Sequence, residues 1–128
     1  MKNERICFGQ LIYEIQTGKP KEVELLTRLK NSTIPLDHYL SALSKSESLS
    51  LIAEQLEVAA AIHQETGLVS TLNVPATLIG TSEDNYRLKS LIRAFGRPLV
   101  VEFTETYPMP DSRACNRLFR ELRDLGCE

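Results

Sequence analysis

The chain has no tryptophan, two methionines, two histidines and three cysteines in 128 residues. Cys7, Cys115 and Cys127 are odd in number, far apart, and form no Cys-x-x-Cys or Cys/His pair, so neither a disulfide framework nor a thiolate zinc site is signalled. They read as reduced thiols of a cytoplasmic protein. His38 and His63 have no cysteine or second histidine at ligand spacing, which argues against a histidine-based metal centre. No run approaches the roughly 20 apolar residues of a membrane-spanning helix. Met1-Lys2-Asn3-Glu4-Arg5 is not followed by a signal-peptide core. Neither sign of charge dominates, the formal net charge being -2, so the basic stripe of a nucleic-acid-polymer binder is absent. Repeats, low-complexity tracts and linkers are missing as well, and residues 1–128 read as one domain.

What is present suits a packed core: 42% of the residues are hydrophobic and 25% charged, an ordinary balance for a chain of this length. Phe8-Gly9-Gln10-Leu11-Ile12-Tyr13-Glu14-Ile15-Gln16 reads as a strand, and Thr17-Gly18-Lys19-Pro20 as its reversal. The returning strand, Glu22 to Leu29, alternates sides with period two. Glu24, Leu26 and Arg28 therefore share one face, and Val23, Leu25, Thr27 and Leu29 the other. A carboxylate and a guanidinium four positions apart suit a charged ligand, although a solvated pair on an exposed hairpin has the same pattern.

Asn31-Ser32-Thr33-Ile34-Pro35 reads as a loop, Leu36 to Leu43 as a short helix with His38 on its outer face, and a longer helix is expected from near Ser48 to Gly67. Leu68 to Val74 reads as a strand ended by Pro75, with Asn73 on the face of Val69 and Thr71. Leu88, Leu91, Ile92 and Phe95 have helical spacing and stop at Gly96. Leu99 to Glu105 is a nearly continuous apolar strand of the kind buried on both faces of a parallel sheet, interrupted by Glu102. Asp111 or Ser112 is a suitable N-cap for a last helix with Ala114, Leu118, Leu122 and Leu125 inside and Gly126 as its stop. The order predicts an α/β fold with parallel βα units after an antiparallel hairpin. Such sheets bind ligands at the carboxyl ends of their strands. Asn73 and Glu102 lie near two such ends with Glu24 beside them, and these oxygen donors suit Mg²⁺ or Mn²⁺. Each also has a plain structural reading, Asn73 as a strand-ending cap and Glu102 as an acid salt-bridged to a neighbouring arginine.

Five segments together resemble the EAL domain of bacterial cyclic di-GMP phosphodiesterases. Gly9-Gln10-Leu11-Ile12 is similar to its opening Tyr-Gln-Pro-Ile strand, Thr17-Gly18 to its turn, and Glu24-Leu25-Leu26-Thr27-Arg28 to its Glu-Ala-Leu-Leu-Arg signature. Leu72-Asn73-Val74-Pro75 and Val101-Glu102-Phe103-Thr104-Glu105-Thr106 resemble its Val-Asn-Leu-Ser and Leu-Glu-Ile-Thr-Glu-Ser segments. Gly9, Leu11 and Leu25 depart from the pattern. The resemblance implies a TIM-type (β/α) barrel, with Glu24, Asn73 and Glu102 as metal ligands, Gln10, Leu26 and Arg28 contacting the dinucleotide, and Glu105 orienting a ligand. It further implies hydrolysis of cyclic di-GMP to linear pGpG.

The Asp-Asp motif of the family is not in the sequence, nor are the later residues that complete a two-metal centre. A barrel of eight strands takes roughly 250 residues, so the expectation is the N-terminal half of an EAL-type barrel, inactive by itself, whose parent is the phosphodiesterase. The alternative is a degenerate relative acting as a protein-interaction or nucleotide-sensing regulator. A half barrel also exposes an apolar sheet edge, from which self-association as a homodimer is expected.

Overall fold

The computed structural model describes residues 5–30, 34–75, 78, 82–104 and 112–127, with residues 82, 104 and 112–115 by backbone alone. Strand β1 (Arg5–Tyr13) and strand β2 (Pro20–Leu29) form the antiparallel hairpin. The first strand ends at Tyr13, short of the expected Gln16, because Glu14 N–H donates to Lys19 O at 2.9 Å and Gly18 N–H to Glu14 O at 2.8 Å, closing the loop. After helix α1 (Leu36–Ser41) come helix α2 (Lys45–Thr66), strand β3 (Val69–Pro75), helix α3 (Ser82–Phe95), strand β4 (Leu99–Thr104) and helix α4 (Ser112–Asp124). The sheet order is β1-β2-β3-β4, with β2, β3 and β4 parallel.

Helix α2 starts three residues before the expected Ser48. Ser44 accepts a hydrogen bond from Glu47 N–H at 3.1 Å and Glu47 Oε1 accepts one from Ser44 N–H at 3.1 Å, a reciprocal capping box that satisfies two otherwise orphaned donors. Gly67 closes the same helix at φ 73°, its N–H donating to His63 O at 2.8 Å; a side chain at that φ would be strained. Helix α1 differs from expectation in length and burial. It ends at Ser41, and none of its residues is buried, since Pro35 offers no side-chain cap and six residues make fewer than two turns.

Period two assigns the sheet faces. Val23 and Leu25 from β2, Leu72 and Val74 from β3, and Leu99 from β4 are each at most 2% exposed. With Ile52, Leu56 and Ala59 of α2, Leu88 and Ile92 of α3, and Leu118 and Leu122 of α4, they form the core, in which Leu25, Leu72, Val74 and Leu99 join the helix residues. Burial of each large aliphatic side chain contributes about 1.5–3 kcal/mol. Strand β4 is not buried on both faces: Leu99 is buried, Val100, Val101 and Phe103 are half-buried and Glu102 is exposed. The sheet's other face carries no described helix, and β4 is its outer strand. Its edge is partly occupied, because Cys127 forms a parallel bridge with Leu99. Beyond that bridge an apolar groove of about 320 Å³ remains, lined by Val101, Phe103, Phe119, Leu122, Arg123 and Cys127.

Gly9 sets how closely α2 approaches the hairpin. A Cβ there would lie 2.5 Å from Val23 Cγ1 and 2.7 Å from Ile62 Cδ1. We expect Gly9→Ala to destabilise the fold by about 1–3 kcal/mol through overpacking and Leu72→Ala by about 2–5 kcal/mol through a cavity, read from urea unfolding midpoints. A Gly9→Ala protein as stable as wild type would contradict the close approach of α2.

Candidate functional site

The face turned away from the helices is an open surface whose side chains follow from the ladder register. Gln10 pairs with Glu24, Glu24 with Thr71, Thr71 with Val100 and Asn73 with Glu102. Paired residues share a face and so do residues two apart, so Gln10, Glu24, Thr71, Asn73 and Glu102 all stand on this one. Asn73 and Glu102 are direct cross-strand neighbours. Glu24 is level with Thr71, one side-chain row nearer the amino ends of the parallel strands. For an unbent sheet with a 3.3 Å rise and strands 4.8 Å apart, its Cα lies about 8 Å from that of Asn73.

Exposure separates these positions. Glu24 and Asn73 are half-buried, Gln10 and Glu102 exposed. Leu26 is half-buried on the same face and pairs with Phe8. Arg28 is exposed, with its guanidinium carbon 5.3 Å from the centroid of the Phe8 ring, a cation–π contact that holds the charge over the open face. The register thus brings together Gln10 with Glu24, and Asn73 with Glu102, while Arg28 stands at the far end of β2. Glu105 lies outside the described residues, as does Asp111.

The donor set is two carboxylates and an amide, all oxygen, the chemistry of a hard divalent cation. Among the described residues, no three His, Cys, Asp or Glu side chains are grouped so as to hold a metal ion. Two of the three donors are acids, so the set depends on the Asn73 amide. His38 is exposed and His63 half-buried.

Sequence reasoning passed over Thr71. It is 2% exposed and its Oγ1 has no hydrogen-bond partner among the described residues. Its face is readable from its spacing to Asn73, but its burial depends on neighbours from two other strands.

Solved structures sharing this architecture include an EAL domain protein from Listeria monocytogenes EGD-e, with a TM-score of 0.70 and 22% identity over 97% of this chain. The fold is that of part of an EAL domain. Two further matches are structures of BlrP1 from Klebsiella pneumoniae. One, with FMN and cyclic di-GMP and no metal ions, has a TM-score of 0.66 at 16% identity; the other, a calcium and cyclic di-GMP complex at pH 8.0, has 0.65 at 18%. Each covers 95% of this chain and 33% of BlrP1. The chain spans 52% of the Listeria EAL protein, so the likeness extends over about half of that molecule. No protein-family model and no curated protein matches the chain.

On the opposite, helix-facing side lies a second polar cluster, separate from the donors of the open face. Arg5 donates from Nε and Nη2 to the two Glu54 oxygens at 2.8 and 2.9 Å and from Nη1 to Tyr39 Oη at 3.1 Å. Cys7 Sγ lies 3.7 Å from Glu54 Oε2 and 3.9 Å from Thr27 Oγ1, and Gln55 Nε2 donates to Thr27 Oγ1 at 3.0 Å. Burial pushes the Cys7 thiol above its ordinary pKa, so it stays protonated and is a poor nucleophile. This cluster pins α1 and α2 to the hairpin.

Hydrogen bonding from Arg5 holds the Glu54 carboxyl below its usual range. A depressed carboxyl contributes stability above its unfolded pKa that is lost as pH falls through the folded value. The Glu54 side chain is 47% exposed, so solvent screening limits the contribution to about 1 kcal/mol or less. We expect Glu54→Gln to lower the urea midpoint at pH 7 and to match wild type once pH falls below the depressed Glu54 value. A stability difference independent of pH would remove the ionic contribution.

Proposed function

We propose that this chain is the N-terminal half of an EAL-type domain whose complete form is a divalent-metal-dependent phosphodiesterase opening cyclic di-GMP to linear pGpG. One observation carries the reading: Glu24, Asn73 and Glu102, drawn from three parallel strands, share the open face of the sheet, with Asn73 and Glu102 in register. The cyclic di-GMP named in the BlrP1 structures supports the choice of ligand.

In this reading Glu24, Asn73 and Glu102 hold Mg²⁺ or Mn²⁺. When bound, such a cation lowers the pKa of a water and offsets charge on the phosphate oxygens. Gln10, beside Glu24, offers an amide donor and acceptor to the dinucleotide. Leu26 and Phe8 give an apolar floor against which a base can lie, and Arg28, held over Phe8, presents a fork that matches phosphate oxygens. Glu105 orients one of the donors.

The 128-residue chain by itself binds metal weakly and does not turn over cyclic di-GMP, because catalytic rate depends on complete and fixed geometry. Calorimetry with Mn²⁺ is expected to give weak binding that Glu24→Gln abolishes, with no pGpG formed by the same protein. Equal Mn²⁺ binding by wild type and Glu24→Gln would overturn the ligand assignment. Manganese-dependent cleavage lost in Glu24→Gln would overturn the inactivity.

A further inference from the structure

Thr71 sits on the sheet face that carries the oxygen donors, level with Glu24, and its buried hydroxyl lacks a hydrogen-bond partner among the described residues. Two other buried polar atoms share that condition, Ser70 Oγ and Gln55 Oε1. Both belong to the helix-facing side, Ser70 by its register with Val23 and Leu99 and Gln55 by its bond to Thr27. Thr71 instead stands between Glu24 and Val100, two residues before Asn73. A buried hydroxyl without an acceptor weakens a fold, and valine has the same shape without that penalty. Valine is also favoured in strands. Beyond what valine would provide, the hydroxyl can donate a hydrogen bond.

The register names the acceptor. Glu24 is level with Thr71, whereas Asn73 and Glu102 stand one row further toward the carboxyl ends of the strands. A Glu24 carboxylate that meets the same cation as those two has to lean along β3, across Thr71. We propose that Thr71 is a positioning residue whose hydroxyl donates to one oxygen of the leaning Glu24 carboxylate, leaving the other oxygen free for the cation. An ionised carboxylate has lone pairs enough for both. Groups that hydrogen-bond to metal-binding carboxylates fix their orientation and raise affinity. The inference rests on the assignment of Glu24, Asn73 and Glu102 as cation donors.

The test is a Mn²⁺ titration of the purified chain, read by paramagnetic broadening of its assigned amide resonances, in wild type, Thr71→Val, Thr71→Ser and Glu24→Gln. Wild type should broaden first around Glu24, Asn73 and Glu102. In Thr71→Val the Mn²⁺ concentration for half-broadening should rise about 10-fold, while Thr71→Ser stays within about twofold of wild type. The thermal midpoint of Thr71→Val should equal or exceed that of wild type, so that affinity falls without a loss of stability. Localised broadening that is the same in wild type and Thr71→Val overturns this inference alone. So does a Thr71→Ser protein that loses as much affinity as Thr71→Val. Broadening of wild type that is not localised to those three residues overturns the site assignment and this inference with it.

Discussion

The sidedness of the parallel ladder from β2 through β3 to β4 governs everything else in this molecule. Val23, Leu25, Leu72, Val74 and Leu99 are driven under the helices because their burial is favourable. The residues between them have no choice but the other face. Turning the sheet over would place the carboxylates of Glu24 and Glu102 in a dry helix layer, where an unpaired charge is far more costly than an exposed leucine. The aliphatic residues thus orient the acids without touching any ligand.

The two faces treat polar groups differently. On the helix side, Arg5, Glu54, Tyr39, Thr27 and Gln55 form a set of hydrogen bonds that fastens the hairpin to α1 and α2. On the open side, the amide of Asn73 and the carboxylates of Glu24 and Glu102 are arrayed along neighbouring strands, with the unpartnered Thr71 hydroxyl in their midst. The helix-side bonds suit a structural role, although Gln55 Oε1 and Ser70 Oγ on that side also lack partners among the described residues. On the open side the unused capacity lies beside the oxygen donors, which suits a ligand. Gly9 belongs to the first task, since the absence of its side chain lets Ile62 close over the hairpin.

The strands, the antiparallel hairpin and the helices ending at Gly67 and Gly96 are legible in the sequence because each rests on local periodicity or a turn residue. So is the common face of Glu24, Leu26 and Arg28, which needs only strand geometry. The start of α2 is also written there, as the Ser-x-x-Glu spacing of Ser44 and Glu47, although the apolar stripe by itself points to Ser48. What cannot be read locally depends on the neighbours of each element. The apolar run from Leu99 looks doubly buried, yet its position at the edge of an uncovered sheet face leaves Glu102 exposed. Leu36 and Leu40 look like a core stripe, yet a six-residue helix at the rim buries neither. That Asn73 and Glu102 stand side by side requires the β3–β4 register, which no single strand contains.

The hairpin has its bulge between Ile12 and Tyr13, next to the loop, and its ladder runs unbroken from Ile12 and Glu22 to Arg5 and Leu29. An insertion of one residue between Glu22 and Glu24 would therefore have no nearby irregularity to absorb it. It would rotate the remainder of β2 by half a period, presenting Leu25 to water and driving Glu24 toward Ile52 and Leu56. Length in this segment is consequently constrained more tightly than residue identity, and drift in this lineage should proceed by substitution along β2 while gains and losses of residues collect in the Glu14–Lys19 loop.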